Sequence, residues 1–194
     1  MEQKLRIEGI YDQRTLKYLK QKGLKDFCFD FSPKSFNFIQ EYVFLEQIIS
    51  LLDLSDRLFL RFARSNDPMV IKLIEDLKKS NKSLENIYFE FDEWSKEVTP
   101  QAFEYHYLLA YSQDLDLTQG LGKNFQGFIF NFSFFENLHQ KNLLANFTSN
   151  FYTRFPQFTQ DKHLLLLKMD WHCNIFASLF DFIEFDLLSF PINA

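Results

Sequence analysis

Along this chain, short apolar runs alternate with longer stretches whose apolar residues recur every three or four positions. The short runs predict strands over residues 5–10, 27–31, 57–62, 86–91, 105–111, 127–132, 163–168 and 183–188. Asp12 is placed to cap a helix whose face carries Leu16 and Leu19, and Gly23 sits where that helix should stop. Further helices are expected over 41–52, from Asp67-Pro68 through Val70, Ile71, Ile74 and Leu77, over 134–151 and over 174–182. The connections 92–102 and 113–124 carry no clear helical period.

Strand–helix alternation of this kind implies parallel strands joined by right-handed crossovers. Eight such strands close a barrel, so the fold class is α/β, a compact (β/α)8 barrel of the TIM type, in a single domain over residues 1–194. No linker, repeat or low-complexity segment divides it. The sequence stops at Ala194, soon after the predicted eighth strand, which predicts a barrel lacking the final outer helix. Apolar strand surface left uncovered there would invite a homo-oligomeric or other protein partner.

Within the predicted strands the two faces differ. Phe27, Phe29 and Phe31 oppose Cys28, Asp30 and Ser32; Leu5 and Ile7 oppose Arg6 and Glu8; Leu58, Leu60 and Phe62 oppose Phe59 and Arg61. Strands four and six split in the same way and add Glu90 and Asn131 to the polar side. The bulky apolar set should face the helices. The polar set should then face inward as a network of Arg6, Glu8, Asp30, Arg61, Glu90 and Asn131, with Lys168 and Asp186 as further members. Unpaired buried charge is costly, so the favoured reading is that the arginines neutralise the carboxylates. The alternative is a pocket around a perturbed Glu8 or Glu90, in which anionic metabolites would raise the melting temperature.

Composition narrows the function classes. Charged residues make up 24% and apolar residues 46%, an ordinary globular balance. A net charge of −5 leaves no basic face for nucleic acid. Apolar runs as short as 164–167 predict no membrane span, and Met1-Glu2-Gln3-Lys4-Leu5-Arg6 has no signal core, so the chain reads as cytoplasmic. Two cysteines exclude a disulfide framework. Asp170, His172 and Cys173 match no zinc spacing, and Gly120-Leu121-Gly122-Lys123 lacks the context of a phosphate loop, so no metal and no cofactor is expected. The 26 phenylalanines supply a bulky core. Of only 5 glycines, none follows Gly127, which removes the residues best suited to a phosphate-binding backbone nest.

Leu5-Arg6-Ile7-Glu8-Gly9-Ile10 resembles the first strand of the phosphoribosylanthranilate isomerases, the tryptophan-biosynthesis (β/α)8 barrels, which reads Lys-Ile-Cys-Gly-Ile. Phe29-Asp30-Phe31-Ser32-Pro33-Lys34-Ser35 resembles that family's second strand and loop, and residues 57–68 its third strand and following helix start. The likeness is clearest in the first third of the chain. It implies a cysteine general base at the position held here by Glu8, and an aspartate general acid at the position held by Asn131. It also implies a carboxylate-binding arginine where Asn37 stands. The two glycine-rich phosphate loops would fall on Met169-Asp170-Trp171-His172 and Leu188-Ser189-Phe190-Pro191, neither of which has a glycine.

An amide cannot donate a proton as a carboxylic acid does, and a missing phosphate nest removes binding energy that positions substrate. The resemblance therefore implies a divergent, degenerate member: a pseudoenzyme that does not perform the family's isomerisation and serves as a binding or assembly protein. The rival is an isomerase of altered specificity, acting on a phosphosugar or related small metabolite with Glu8 as base and Asp30 or Glu90 as acid. An open cavity above Glu8 favours the rival, and a plugged, salt-bridged interior favours the pseudoenzyme.

Overall fold

The computed structural model describes residues 4–79, 85–115, 120–159, 163–174, 176 and 178–192. Eight parallel strands close a barrel in sequence order: β1 (Lys4–Glu8), β2 (Asp26–Asp30), β3 (Arg57–Arg64), β4 (Ile87–Glu93), β5 (Tyr107–Ala110), β6 (Phe125–Asn131), β7 (Leu164–Lys168) and β8 (Leu187–Pro191). Closure runs through β1 and β8, whose register pairs Arg6 with Ser189 and Glu8 with Pro191. This is the predicted fold class, an α/β barrel of the TIM type with helices between its strands.

Helix α1 (Gln13–Gln21) begins as its sequence demands. The Asp12 side chain accepts from the Arg14 and Thr15 amides at 2.8 and 2.9 Å, and Leu16 and Leu19 are buried on the barrel side. The predicted helix over 41–52 is instead a composite: α2 (Glu41–Val43), a π-helical turn (Phe44–Ile48) and a 3-10 turn (Ile49–Leu51). That winding buries Phe44, Ile48 and Ile49 together. Helix α3 (Pro68–Lys79) turns Val70, Leu73, Ile74 and Leu77 inward, while Ile71 is exposed.

Three other expectations need correction. The helix predicted over 134–151 is two helices, α4 (Phe132–Gln140) and α5 (Leu144–Arg154). Asn142 between them takes φ 56°, a left-handed conformation that asparagine tolerates, and Leu143 N–H closes the turn onto Leu138 C=O at 2.8 Å. Of the helix expected over 174–182, the described residues contain α6 (Leu179–Phe182); residues 175 and 177 lie outside them. The eighth strand is Leu187–Pro191, not 183–188. Ile183 instead ends α6, and Asp186 accepts the Leu165 amide at 2.7 Å ahead of the strand. Residues 183–187 alternate more regularly than Leu187–Pro191, which opens on two adjacent leucines, so the pattern points to a strand too early. The N-terminal residues 1–3, part of the 113–124 connection (residues 116–119) and the last residues, 193–194, also lie outside the described residues.

The barrel interior holds an apolar layer of Cys28, Phe59, Leu108, Ile129, Leu166 and Leu187. The phenylalanines mostly fill the larger layer outside the strands. Between β4 and β5 the crossover has only a 3-10 turn (Pro100–Ala102), and aromatic side chains do the covering there. Phe103 meets Phe89, Phe91, Trp94 and Tyr107 edge-on, with centroids 5.6 to 5.9 Å apart. Gly127 sits on β6 where a Cβ would lie 1.9 Å from the Leu164 carbonyl oxygen, so no larger residue fits this strand approach. Among the described residues no helix is long and apolar enough to cross a membrane.

Candidate functional site: an ion-paired barrel interior

The strands gather charge just beneath the C-terminal mouth. Arg6 on β1 is fully buried, and three partners take up its donors. Its guanidinium pairs with Glu90 of β4, reaches Glu8 at 3.3 Å and donates from Nε to Ser189 Oγ at 2.9 Å. It also lies over the Phe59 ring, 4.8 Å from the centroid. Glu90 is itself buried, and the Cys28 thiol faces its second oxygen at 3.8 Å. Lys168 at the end of β7 and Ser189 on β8 both approach Glu8 Oε2 at 3.3 Å. This brings together residues from β1, β2, β4, β7 and β8, which only barrel closure makes neighbours.

A second group caps the first. Arg61 pairs with Asp30 at 3.6 Å and grips Asp92 with Nη2 at 3.1 and 3.2 Å. Asp30 also accepts the Ser32 amide at 2.8 Å, which ties the start of the β2 loop to the network. A cavity of about 70 Å³ remains between Glu8, Cys28, Asp30, Ser35, Asn37, Arg61 and Pro191. Gly9 lies beneath Asn37 with φ +77°, and a Cβ there would come within 2.6 Å of the Asn37 amide. Asn37 thus packs on the first strand's exit and borders this small space.

Other predicted members fall elsewhere. Asn131 ends β6 beside Lys168 in register, but its side chain is exposed and caps no amide of α4. Asp186 is no part of the network, because it precedes β8 at the opposite end of the barrel. The loop reading of 188–191 is also corrected: these residues are in β8, and Ser189 points inward as a fully buried hydrogen-bonding partner. Had Leu187 and Ser189 been set against Leu188 and Phe190, strand alternation would have shown it. The residues 169–172 do form the loop after β7. There Trp171 donates from Nε1 to Pro191 C=O at 2.7 Å and stacks on Phe190 at 4.5 Å, clipping this loop to the end of β8. Sequence reading also missed the pair between Arg57 and Asp26 at the lower end of the barrel.

Electrostatics fixes the protonation states. Burial would raise the Glu8 carboxyl, but Lys168, then Arg6 and Arg61, bring it down to about 2. Burial and then the charge of Glu90 push the Cys28 thiol well above its ordinary range. Burial works against the charge on Arg6, yet Glu90 and the other acidic neighbours hold its pKa above the usual arginine value. At neutral pH the interior therefore offers a weakly basic carboxylate and a protonated thiol, which is poor equipment for moving protons. Among the described residues no cluster of three or more His, Cys, Asp or Glu is arranged to hold a metal.

Solved structures similar to this barrel include phosphoribosylanthranilate isomerases. The fold is theirs. One is the Thermotoga maritima enzyme, described as dimeric and solved as monomers generated from it: TM-score 0.60, 15% identity, covering 97% of this chain and 87% of that one. Another is an isomerase in complex with reduced 1-(o-carboxyphenylamino)-1-deoxyribulose 5-phosphate, at TM-score 0.61 and 14% identity over 98% of this chain and 87% of that one. A third is from Thermus thermophilus, at TM-score 0.56 and 12% identity over 97% and 86%. No protein-family profile matches this chain, and no curated protein matches its sequence. At such identities the likeness to the isomerase barrels concerns fold, and the chemistry has to be argued from the site.

Proposed function

We propose that this chain is a phosphoribosylanthranilate-isomerase-like barrel without that isomerase activity, serving as a binding or assembly protein. The observation that carries the reading is the closed interior. Beside Glu8 there is about 70 Å³, room for two or so waters, whereas pockets for small-molecule ligands run to about 300–1,000 Å³. The residue at the family's acid position is the exposed amide Asn131, and the group at its base position, Glu8, is held at about 2 by Lys168 and the arginines. Trp171 and Pro191 occupy the corner between the β7 and β8 ends, where the resemblance would put phosphate. Complementation of a strain lacking the isomerase tests this: no rescue is expected, and growth at normal rates would defeat the proposal.

The assembly part draws support from Leu5, exposed on the outer face of β1, beside half-buried Leu188 and Phe190 on β8. The isomerase described as dimeric makes a homo-oligomer the first expectation. Light scattering should give a mass above that of one chain, and a clean monomer would count against assembly. Glu8 and Asp30 do border the small cavity, which favours a second reading, an isomerase of altered specificity with Glu8 as base. That reading requires sugar phosphates or similar anionic metabolites to raise the melting temperature, and an absence of any shift would sink it.

A further inference from the structure

A much larger cleft, about 1020 Å³, opens beside the ion-paired centre, over the C-terminal ends of β3, β4 and β5, and shares Asp92 and Ser32 with its rim. Its origin is local. The crossover from β4 to β5 has one 3-10 turn and no α-helix, so a gap is left beside the strand ends. Ala63, Ala110 and Leu109 supply small or apolar walls, and Trp94 forms a side whose ring is fixed by its Nε1–H bond to Val98 C=O at 2.8 Å and by Tyr107, 4.7 Å away. The rim is charged. Arg64 and Glu93 neutralise each other at 3.0 Å, and Asp92 is held by Arg61. On the β2 side the exposed Lys34 faces this space, and Lys96 lines it from the β4 side. Asp114 borders the cleft on its β5 side. An acidic ligand group is therefore favoured at the Lys34 corner, with the apolar part laid over Ala63 and Ala110 towards Trp94.

We propose that this cleft is a binding site for a small apolar molecule bearing one acidic group, distinct from the barrel centre. Lys34 pairs with the acid, and Trp94 covers the apolar body. The site does not depend on whether the centre is catalytic. Octanoate serves as the probe, with octylammonium and octanol as controls for charge. The chain has two tryptophans, so Trp171→Phe leaves Trp94 as the sole indole. Octanoate should shift Trp94 emission saturably, and calorimetry on the unsubstituted chain should give the same affinity. Lys34→Ala should weaken binding about tenfold or more, the usual effect of losing a charged hydrogen-bonding partner. Ala63→Phe, at an exposed wall position, should abolish it while leaving the melting temperature unchanged. Equal binding of octanol or octylammonium overturns the acidic specificity. Octanoate binding indifferent to both substitutions, or no binding by calorimetry, overturns the site.

Discussion

Arg6→Met cuts the centre of the barrel network and leaves the fold's shape alone. Methionine matches the length of the arginine stem but leaves Glu90 buried without its partner and Ser189 Oγ without its donor. Glu8 keeps Lys168 at 3.3 Å, so the damage falls mainly on Glu90. Removing one partner of a buried pair costs about 3–5 kcal/mol, because the remaining charge is stranded. For a chain of this size that corresponds to a fall in melting temperature of about 6–20 °C. Glu90→Leu alone should cost a comparable amount by stranding Arg6, lessened by Glu8. Arg6→Met combined with Glu90→Leu removes both charges, and should recover most of the loss. The assay is a double-mutant cycle in urea with thermal melts alongside. Singles that each cost under about 1 kcal/mol, or a double as unstable as the sum of the singles, would refute the claim that these charges are mutually compensated.

Acid should act through Glu8. Its carboxyl is held at about 2 in the fold against an ordinary 4.5, so its contribution is complete above pH 4.5 and is lost as the pH falls towards 2. The gap corresponds to about 3 kcal/mol, and Glu8→Gln should flatten the acid limb of a stability–pH curve; an unchanged limb contradicts the assignment. Gly127→Ala should unfold the barrel or lower its midpoint sharply, since the Cβ would meet the Leu164 backbone; a near-native melt argues against that strand approach. Asp12→Ala should cost about 1 kcal/mol by freeing the Arg14 and Thr15 amides, and Asp12→Ser should restore part of it, both read from urea midpoints.

Strand and helix alternation was enough to close the barrel on paper, because each parallel strand buries both faces and each crossover buries one. The inward set of Arg6, Glu8, Asp30, Arg61 and Glu90 was legible for the same reason: charged residues alternating with phenylalanine leave little choice of face. Which acid meets which base was not legible, since Arg6 and Glu90 are joined only by barrel closure. The boundary errors have local causes. Apolar and polar residues alternate over 183–187 and the pattern breaks at Leu187-Leu188, so register with β1 had to decide where β8 lies, and with it the role of Ser189. Asn142 carried the signal that divides the helix expected over 134–151, but one asparagine among good helix positions is easily passed over. Asn131 was placed by alignment at the strand end correctly, yet its exposure depends on how far β6 projects at the mouth.

The central claim is that the centre of this barrel is closed to the ligand held by one isomerase of the same fold. Isothermal titration with reduced 1-(o-carboxyphenylamino)-1-deoxyribulose 5-phosphate, the molecule bound in one of those isomerases, addresses it directly. No binding at the centre is expected: any weak heat from the separate cleft should be unchanged in Glu8→Gln. Micromolar affinity that disappears in Glu8→Gln would contradict it.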